Sequence, residues 1–173
     1  MEALVIAEAQ AVIASGEARM VTYNLNDIAA GDPGVCGGTV QVFIEPVVPM
    51  PTLLVIGMGH VGKATAELGL WMGYRVIACD DRAEYASPDF VPGLAGYVVC
   101  QPGEVVTALA AAGTPVTAST YVAAVTRGLP VDVDLIPALL ATPAPYIGMI
   151  GSRRRWALTE KSLLTDRGLT AAD

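Results

Sequence analysis

The most informative stretch of this 173-residue chain is Thr52-Leu53-Leu54-Val55-Ile56-Gly57-Met58-Gly59-His60-Val61-Gly62. It opens with a short, continuous apolar run, which is typical of a strand buried on both faces of a parallel sheet. Three glycines spaced as Gly-x-Gly-x-x-Gly follow, and a helical pattern covers residues 60–72. A strand, a glycine turn and a helix in this order predict a Rossmann-type nucleotide-binding domain.

The three glycines and an acid about 20 residues later form a dinucleotide-binding pattern. Gly57 is expected to allow the tight turn, Gly59 to let a pyrophosphate approach the backbone, and Gly62 to let the helix pack close to the strand. Asp80 closes the next predicted strand, over residues 75–79, and could accept the ribose hydroxyls of NAD. Arg82 could reduce the repulsion that Asp80 would exert on a 2′-phosphate. The alternative is a fold that keeps the pattern but binds no nucleotide.

His60, the single histidine, lies inside the glycine loop. It could act as an acid or base or donate to a ligand phosphate, and a purely structural role at the start of the helix is equally compatible. One histidine cannot build a multi-histidine metal site. Few residues also remain outside the Rossmann pattern to form a substrate domain. Both points favour a protein that is not an enzyme; if it is one, an NAD-dependent oxidoreductase is the expected class.

The alternation of strands and helices continues along the chain. Further strands are predicted over residues 96–100, 121–126 and 146–150, and further helices over residues 104–112, 133–141 and 153–167. Such alternation predicts a parallel sheet with right-handed crossovers.

A proline-rich connector, Pro46 to Pro51, separates this pattern from what precedes it. Proline has no amide hydrogen to continue a central strand, so we place a domain boundary there. Residues 51–173 are predicted to form the Rossmann-type domain, and residues 1–50 a small α+β segment. Within that segment a helix is predicted over residues 2–15, and strands over residues 19–25 and 39–47.

Two further groups of residues carry possible chemistry. Cys36 is followed by Gly37 and Gly38, and a thiol beside open backbone could act as a nucleophile or bind a soft metal. A small buried cysteine is the simpler alternative. Ser152 is the predicted N-cap of the last helix, which Arg153 opens. Together with the helix amides these two could bind an anionic group, and the alternative is a solvated basic surface.

Composition excludes several classes of protein. The net charge of −7 argues against a nucleic-acid binder, which needs a basic surface. No run approaches the roughly 18 apolar residues of a membrane span, and no targeting segment is evident. The three cysteines are odd in number and widely spaced, which fits neither a disulfide framework nor a zinc site. A cytoplasmic protein is therefore expected.

Four of these segments, in the same order, resemble the XdhC/CoxI family. The central signature of that family is similar to the segment Cys36-Gly37-Gly38-Thr39-Val40-Gln41-Val42-Phe43-Ile44-Glu45-Pro46. Its Rossmann half is similar to three later segments, Gly57-Met58-Gly59-His60-Val61-Gly62, Asp80-Asp81-Arg82 and Tyr146-Ile147-Gly148-Met149-Ile150-Gly151-Ser152-Arg153. The resemblance runs from about residue 1 to about residue 170. Relative to the family the chain looks shortened at both ends, and Leu129 stands where a family histidine is expected.

The resemblance implies an accessory factor for a molybdenum hydroxylase of the xanthine or CO dehydrogenase type. Such a factor binds the molybdenum cofactor (molybdopterin), aids its sulfuration and delivers it to the apo-enzyme, with a cysteine desulfurase-type sulfurase as a second partner. Carried over by position, Cys36 would lie at the molybdenum. The glycine loop, Asp80 and Arg82 would hold the nucleotide-like part of the ligand. A homo-oligomer or a companion subunit would supply the parts that the chain lacks.

Two hypotheses of different class follow. The first is a cytoplasmic maturation factor that holds and transfers a cofactor without turnover. The second is a stand-alone NAD(H)-binding regulatory module, whose partner contacts respond to the nucleotide. An NAD-dependent dehydrogenase is the weakest alternative, because the sequence offers no catalytic set.

Overall fold

The structure, a computed structural model, describes residues 2–25 and 37–170. The chain divides into two compact units, Met1–Pro49 and Met50–Asp173. That residues 1–50 and 51–173 are separate domains stays a prediction.

The first unit contains one helix and a two-stranded antiparallel sheet. Its elements are α1 (Glu2–Ser15), β1 (Arg19–Asn24) and β2 (Thr39–Ile44). Gly16 ends α1 in the left-handed region with φ of 71°, and its amide donates to the Val12 carbonyl at 2.9 Å. The second strand ends at Ile44, three residues before the predicted end at residue 47. Pro46 explains this difference, because it has no amide hydrogen to extend the pairing.

The second unit is a five-stranded parallel sheet with helices between its strands. Its elements are β3 (Thr52–Ile56), α2 (His60–Trp71), β4 (Arg75–Asp80), β5 (Gly96–Val99), α3 (Val105–Ala111), β6 (Thr120–Ala124), α4 (Leu129–Leu140), β7 (Tyr146–Met149) and α5 (Arg153–Asp166), with a 3₁₀ turn at Pro102–Glu104. The strand order is β5-β4-β3-β6-β7. The chain therefore leaves β3 toward one edge and returns through β6 toward the other. The predicted fold, a Rossmann-type parallel sheet preceded by a small α+β segment, is confirmed.

The central strand β3 packs on both faces, as its continuous apolar run predicts. Leu54 and Ile56 belong to one core cluster, which lies on the side of α3 and α4. Val55 belongs to a second cluster with Met58 and Ala66 of the glycine loop and α2. Successive residues of the strand thus enter opposite cores, with a period of two. Among the described residues, no helix is long and apolar enough to cross a membrane.

Helix α4 differs from its predicted bounds. It begins at Leu129, four residues before the predicted start at residue 133. Pro130 lies in its first turn, where a missing amide hydrogen has no helical partner to lose, so the residue favours the start of a helix. The earlier start places Asp132 in the first turn of α4, where it is fully buried.

Candidate functional site

The glycine loop follows β3 at the carboxyl edge of the sheet, and two of its glycines are required by backbone packing. Gly57 has a φ of 94°, and a Cβ there would lie 2.7 Å from the Val125 carbonyl oxygen. A Cβ on Gly62 would lie 2.0 Å from the Gly57 carbonyl oxygen. Side chains at these two positions would push the loop away from β6 and α2 away from β3. These glycines therefore hold the loop in place, whatever binds to it.

Gly59 differs from both, because a Cβ there would meet no atom within 4 Å. Its φ of −66° is one that any residue adopts, so backbone geometry does not require glycine at this position. Gly59 is the N-cap of α2, and no side chain caps the helix. The first-turn amides of a helix have no helical acceptor, and they carry a partial positive charge. Open space therefore lies next to a set of donors suited to a phosphate group.

Asp80 ends β4 as predicted, and its carboxylate is occupied. It is only 4% exposed. One oxygen accepts the Met58 amide at 2.7 Å and Nη2 of Arg82 at 3.0 Å. The other accepts the amide and Nε of Arg82 at 3.0 and 2.8 Å. Because a carboxylate has about four lone-pair sites, these bonds use its accepting capacity. A ribose hydroxyl could bind Asp80 only by displacing one of these donors.

The electrostatics of Asp80 agree with this arrangement. Burial alone would raise the pKa of its carboxyl group, but the bonds from Arg82 and Met58 outweigh burial and hold the pKa below its ordinary value. Arg82 itself lies over the ring of Tyr85, 3.8 Å from the ring centre. Its guanidinium is therefore directed at Asp80 and Tyr85, and the role predicted for it toward a 2′-phosphate would require it to move.

A second ion pair spans the carboxyl edge at the point where the strand order reverses. Nη2 of Arg127, after β6, lies 2.8 and 2.6 Å from the two carboxylate oxygens of Asp81, after β4. Beneath this pair is a narrow cleft of about 20 Å³, whose walls include Gly57 and Thr126. Ligands of open α/β sheets bind in this crevice. Here it has room for about one water molecule, so a larger ligand would lie outside it, toward Gly59.

Two cysteines also meet at this edge. The sulfur atoms of Cys79 and Cys100 lie 3.3 Å apart. Spacing along the chain gave no sign of this pair, because parallel strands bring together the ends of segments that are distant in sequence. Among the described residues, no group of three or more histidine, cysteine or acidic side chains could hold a metal ion.

The loop before α5 forms a separate cleft of about 320 Å³. Ser152 caps α5 as predicted, since its hydroxyl oxygen accepts the Arg155 amide at 3.2 Å. Arg153 is exposed beside it. Arg155 points inward to Asp132, so it does not add to the predicted anion site of Ser152 and Arg153.

Arg155 instead joins a buried polar network that sequence analysis missed. Its Nε and Nη2 lie 2.6 and 2.5 Å from the two carboxylate oxygens of Asp132, and Nη1 donates to the Thr126 carbonyl at 2.9 Å. The Thr126 hydroxyl donates to Asp132 at 2.5 Å. The network fixes α4, α5 and the end of β6 to one another. Arginine in the first turn of a helix opposes the helix dipole, and this was the one available signal.

The remaining predicted site residues lie in different places. His60 is exposed at the first position of α2. Gly37 and Gly38 precede β2 in the first unit, with φ of 58° and 104°. Cys36 lies outside the described residues, so its role as a metal ligand stays a prediction.

The strand order, the glycine loop and the acid at the end of β4 define the chain from residue 50 onward as a Rossmann-type domain. Residues 53–173 match the family model described as the XdhC Rossmann domain. The chain belongs to this family, and the resemblance seen in the sequence is confirmed.

Two known proteins are similar to this chain. The protein YqeB of Escherichia coli K12, described as uncharacterized, is 27% identical over 129 residues, which cover 74% of this chain and 23% of YqeB. The chain thus spans about a quarter of the length of that relative. A crystal structure described as a xanthine dehydrogenase (BH1974) from Bacillus halodurans matches with a TM-score of 0.57 at 17% identity, over 95% of this chain and 70% of the other. At that identity the likeness shows the fold alone.

Proposed function

We propose that this chain is an accessory factor for a molybdenum hydroxylase of the xanthine or CO dehydrogenase type. In this role it binds the molybdenum cofactor through a phosphate group, holds it during sulfuration and passes it to the apo-enzyme. Membership of the XdhC Rossmann-domain family supports the class of partner. A sulfurase of the cysteine desulfurase type and a second copy or companion subunit complete the proposed set of partners.

The observation that carries the proposal is the open space at Gly59 beside the uncapped start of α2. A phosphate is the part of the cofactor that fits there, because its oxygens would accept the first-turn amides of α2. The cofactor, when bound, would supply the molybdenum centre that is sulfurated. The chain contributes binding and orientation, with Asp80 fixing the loop through the Met58 amide. Cys36 is proposed as the ligand nearest the metal.

The competing function, an NAD(H)-responsive module, uses the same phosphate position but a different second contact. It needs an acid that is free to accept ribose hydroxyls. The bonds from Arg82 and Met58 to Asp80 count against it, and so does the narrow cleft at the strand-order reversal. Binding of NAD(H) would therefore require Arg82 to leave Asp80.

The direct test is anaerobic binding of the purified chain to molybdenum cofactor, measured as pterin retained on gel filtration, with NADH titrated in parallel. Gly59→Glu places a carboxylate where the phosphate is expected and should reduce retention at least about tenfold, or ~1.4 kcal/mol. Gly96→Ala is the matched control, because its Cβ would make an ordinary 3.6 Å contact with Ile77 at the opposite end of the sheet.

The outcomes separate the two functions. Pterin retained by wild type and Gly96→Ala, and lost in Gly59→Glu with an unchanged circular dichroism spectrum, supports the cofactor carrier. Equal retention in Gly59→Glu removes the phosphate site at α2. No pterin retention together with saturable NADH binding rejects the carrier and favours the NAD(H)-responsive module.

Cells provide a second test of the accessory role. In a strain dependent on this chain, Cys36→Ala should leave the hydroxylase polypeptide at its normal level while its sulfurated cofactor and activity fall. Cofactor analysis of the purified hydroxylase measures this directly. Normal sulfuration in that strain would exclude Cys36 from the metal site.

A further inference from the structure

The pair formed by Cys79 and Cys100 has no part in the proposed binding site, and its placement follows from the sheet. Cys79 is the second-last residue of β4, and Cys100 directly follows β5. These strands are parallel neighbours, so both residues lie at the carboxyl edge. The Cys100 amide donates to the Asp80 carbonyl at 3.3 Å, which continues the pairing of the strands past the end of β5.

The two thiols differ in accessibility. Cys79 is 1% exposed and belongs to the core, whereas Cys100 is half-buried, and both contribute to the walls of the narrow cleft at the carboxyl edge. β5 is the edge strand of the sheet, and Cys100 lies directly after it. Cys100 is therefore the more accessible of the two residues, and Cys79 is held behind it in the core.

Their hydrogen bond gives the thiols different acidities. The bond from the Cys79 thiol stabilises the Cys100 thiolate and lowers the pKa of Cys100, although burial opposes this shift. Donating that bond raises the pKa of Cys79, and burial raises it further. Since the thiolate is the reactive form of cysteine, the accessible member of the pair is also the nucleophilic one.

We propose that Cys79 and Cys100 form a redox-active dithiol that reduces small disulfides of the glutathione type. Cys100 is the attacking residue and Cys79 the resolving residue. The Cys100 thiolate attacks one sulfur of the disulfide RSSR, forming Cys100–S–S–R and releasing RS⁻. Cys79 then loses its proton to the released thiolate and attacks the Cys100 sulfur, which expels a second RS⁻. Two protein thiols are oxidised to one disulfide, and RSSR is reduced to RSH and RS⁻.

The geometry favours the second step. The sulfur atoms are 3.3 Å apart, and a disulfide bond of about 2.05 Å requires them to approach by roughly 1.3 Å. Cys100 follows the last residue of an edge strand, where the chain accommodates such a shift more easily than in a central strand. Because Cys79 immediately precedes Asp80, the resulting disulfide would lie next to the acid that anchors the glycine loop.

The test exposes the full chain, as wild type and as Cys36→Ala, to oxidised glutathione under native conditions and measures intact and peptide masses. Cys36→Ala removes the third thiol, so every change in mass belongs to the pair. The expected product has lost two hydrogens, carries no glutathione and yields a linked peptide containing both cysteines. Dithiothreitol should restore the original mass.

Single variants assign the two roles. Cys79→Ala, in the Cys36→Ala background, should stop the reaction at a stable glutathione adduct on Cys100, and Cys79→Ser is a second variant of the same design. Cys100→Ala should gain neither an adduct nor a link, because Cys79 is buried. Cys79→Ser is the deciding variant, because its hydroxyl can still donate to the Cys100 sulfur, as the Cys79 thiol does. Two free thiols at saturating oxidised glutathione would overturn the proposal, and so would a folded Cys79→Ser chain without an adduct.

Discussion

Replacing Arg155 with methionine should destabilise the second unit strongly, because it leaves the Asp132 carboxylate buried without its cation. Asp132 has no exposed side-chain surface, while the Arg155 side chain is 20% exposed. The substitution removes the donors at 2.6 and 2.5 Å and leaves only the Thr126 hydroxyl on the carboxylate. Removing one partner of a buried pair costs about 3–5 kcal/mol, because the remaining charge is uncompensated.

That loss is large relative to the stability of a domain of this size. Domains unfold with about 5–15 kcal/mol, so the variant would lose roughly a third of a typical value. For a unit of this size, Met50–Asp173, each kcal/mol corresponds to about 4 °C in Tm, and the expected decrease in Tm is therefore roughly 12–20 °C.

The same two helices supply a matched control. Arg167, at the end of α5, pairs with Asp134 of α4, and their side chains are 46% and 56% exposed. Arg167→Met removes an arginine–aspartate pair between α4 and α5, as Arg155→Met does, but from an exposed position. Exposed ion pairs contribute about 0–1 kcal/mol, so this variant should stay close to wild type.

The assay is urea unfolding followed by tryptophan fluorescence. Both tryptophans, Trp71 in α2 and Trp156 in α5, belong to the second unit, so the signal reports that unit alone. The double variant Asp132→Leu with Arg155→Met should recover most of the loss, because no charge is left buried. Equal unfolding free energies for Arg155→Met and Arg167→Met would refute the reasoning, and so would a double variant less stable than Arg155→Met.

Three further predictions concern the glycine loop, Asp80 and a tyrosine of β5. Gly62→Ala should lower the unfolding free energy by about 1–3 kcal/mol, since its Cβ meets the Gly57 carbonyl. In the same urea titration Gly59→Ala should lose less, about 0.5–1 kcal/mol, because its Cβ meets no atom and the only cost is a poorer N-cap residue. Folding lowers the pKa of Asp80, so its ionised carboxylate stabilises the fold at pH values above its ordinary pKa of 3.8. The difference in unfolding free energy between wild type and Asp80→Asn should therefore shrink as the pH falls through and below that value. A constant difference in unfolding free energy between pH 7 and pH 3 would contradict this. Tyr97→Phe removes a hydroxyl that donates to the Val91 carbonyl at 2.6 Å and accepts the Leu94 amide at 3.2 Å. Thermal unfolding should show a loss of about 1–2 kcal/mol, whereas an unchanged Tm would mean that these bonds add nothing.

The fold could be predicted because its determinants are local. Each strand of the second unit has its own apolar run, and each turn its own glycine or proline, so position along the chain carries the information. The predicted start of α4 was wrong because a local preference of proline was given too little weight. Pro130 favours the first turn of a helix, and this alone moves the start of α4 to Leu129.

The side-chain pairs of the site could not be predicted in the same way, because partners depend on strand order. Cys79 meets Cys100, and Asp81 meets Arg127, only because β5, β4, β3 and β6 are adjacent in that order. Many strand orders satisfy the same apolar pattern, and each would bring different residues to the carboxyl edge. The apolar pattern therefore predicts which residues lie at the carboxyl edge, but it does not predict which of them pair.

Asp80 shows a further limit of sequence-based prediction. Its position at the end of β4 was predicted, but the hydrogen bonds that occupy its carboxylate were not. The dinucleotide pattern identifies the acid at the end of the second strand but does not reveal that Arg82, two residues later, turns back to bind it. A ligand hydroxyl must compete with a guanidinium and two backbone amides, whose bonds to a carboxylate are each stronger than a neutral hydrogen bond. A ligand bound mainly through phosphate avoids that competition, because the amides of α2 are separate from Asp80. The choice between a phosphate-anchored cofactor and NAD(H) therefore depends on Arg82: an Arg82→Ala variant should gain NADH affinity if Asp80 is otherwise able to bind ribose, and should leave pterin retention unchanged.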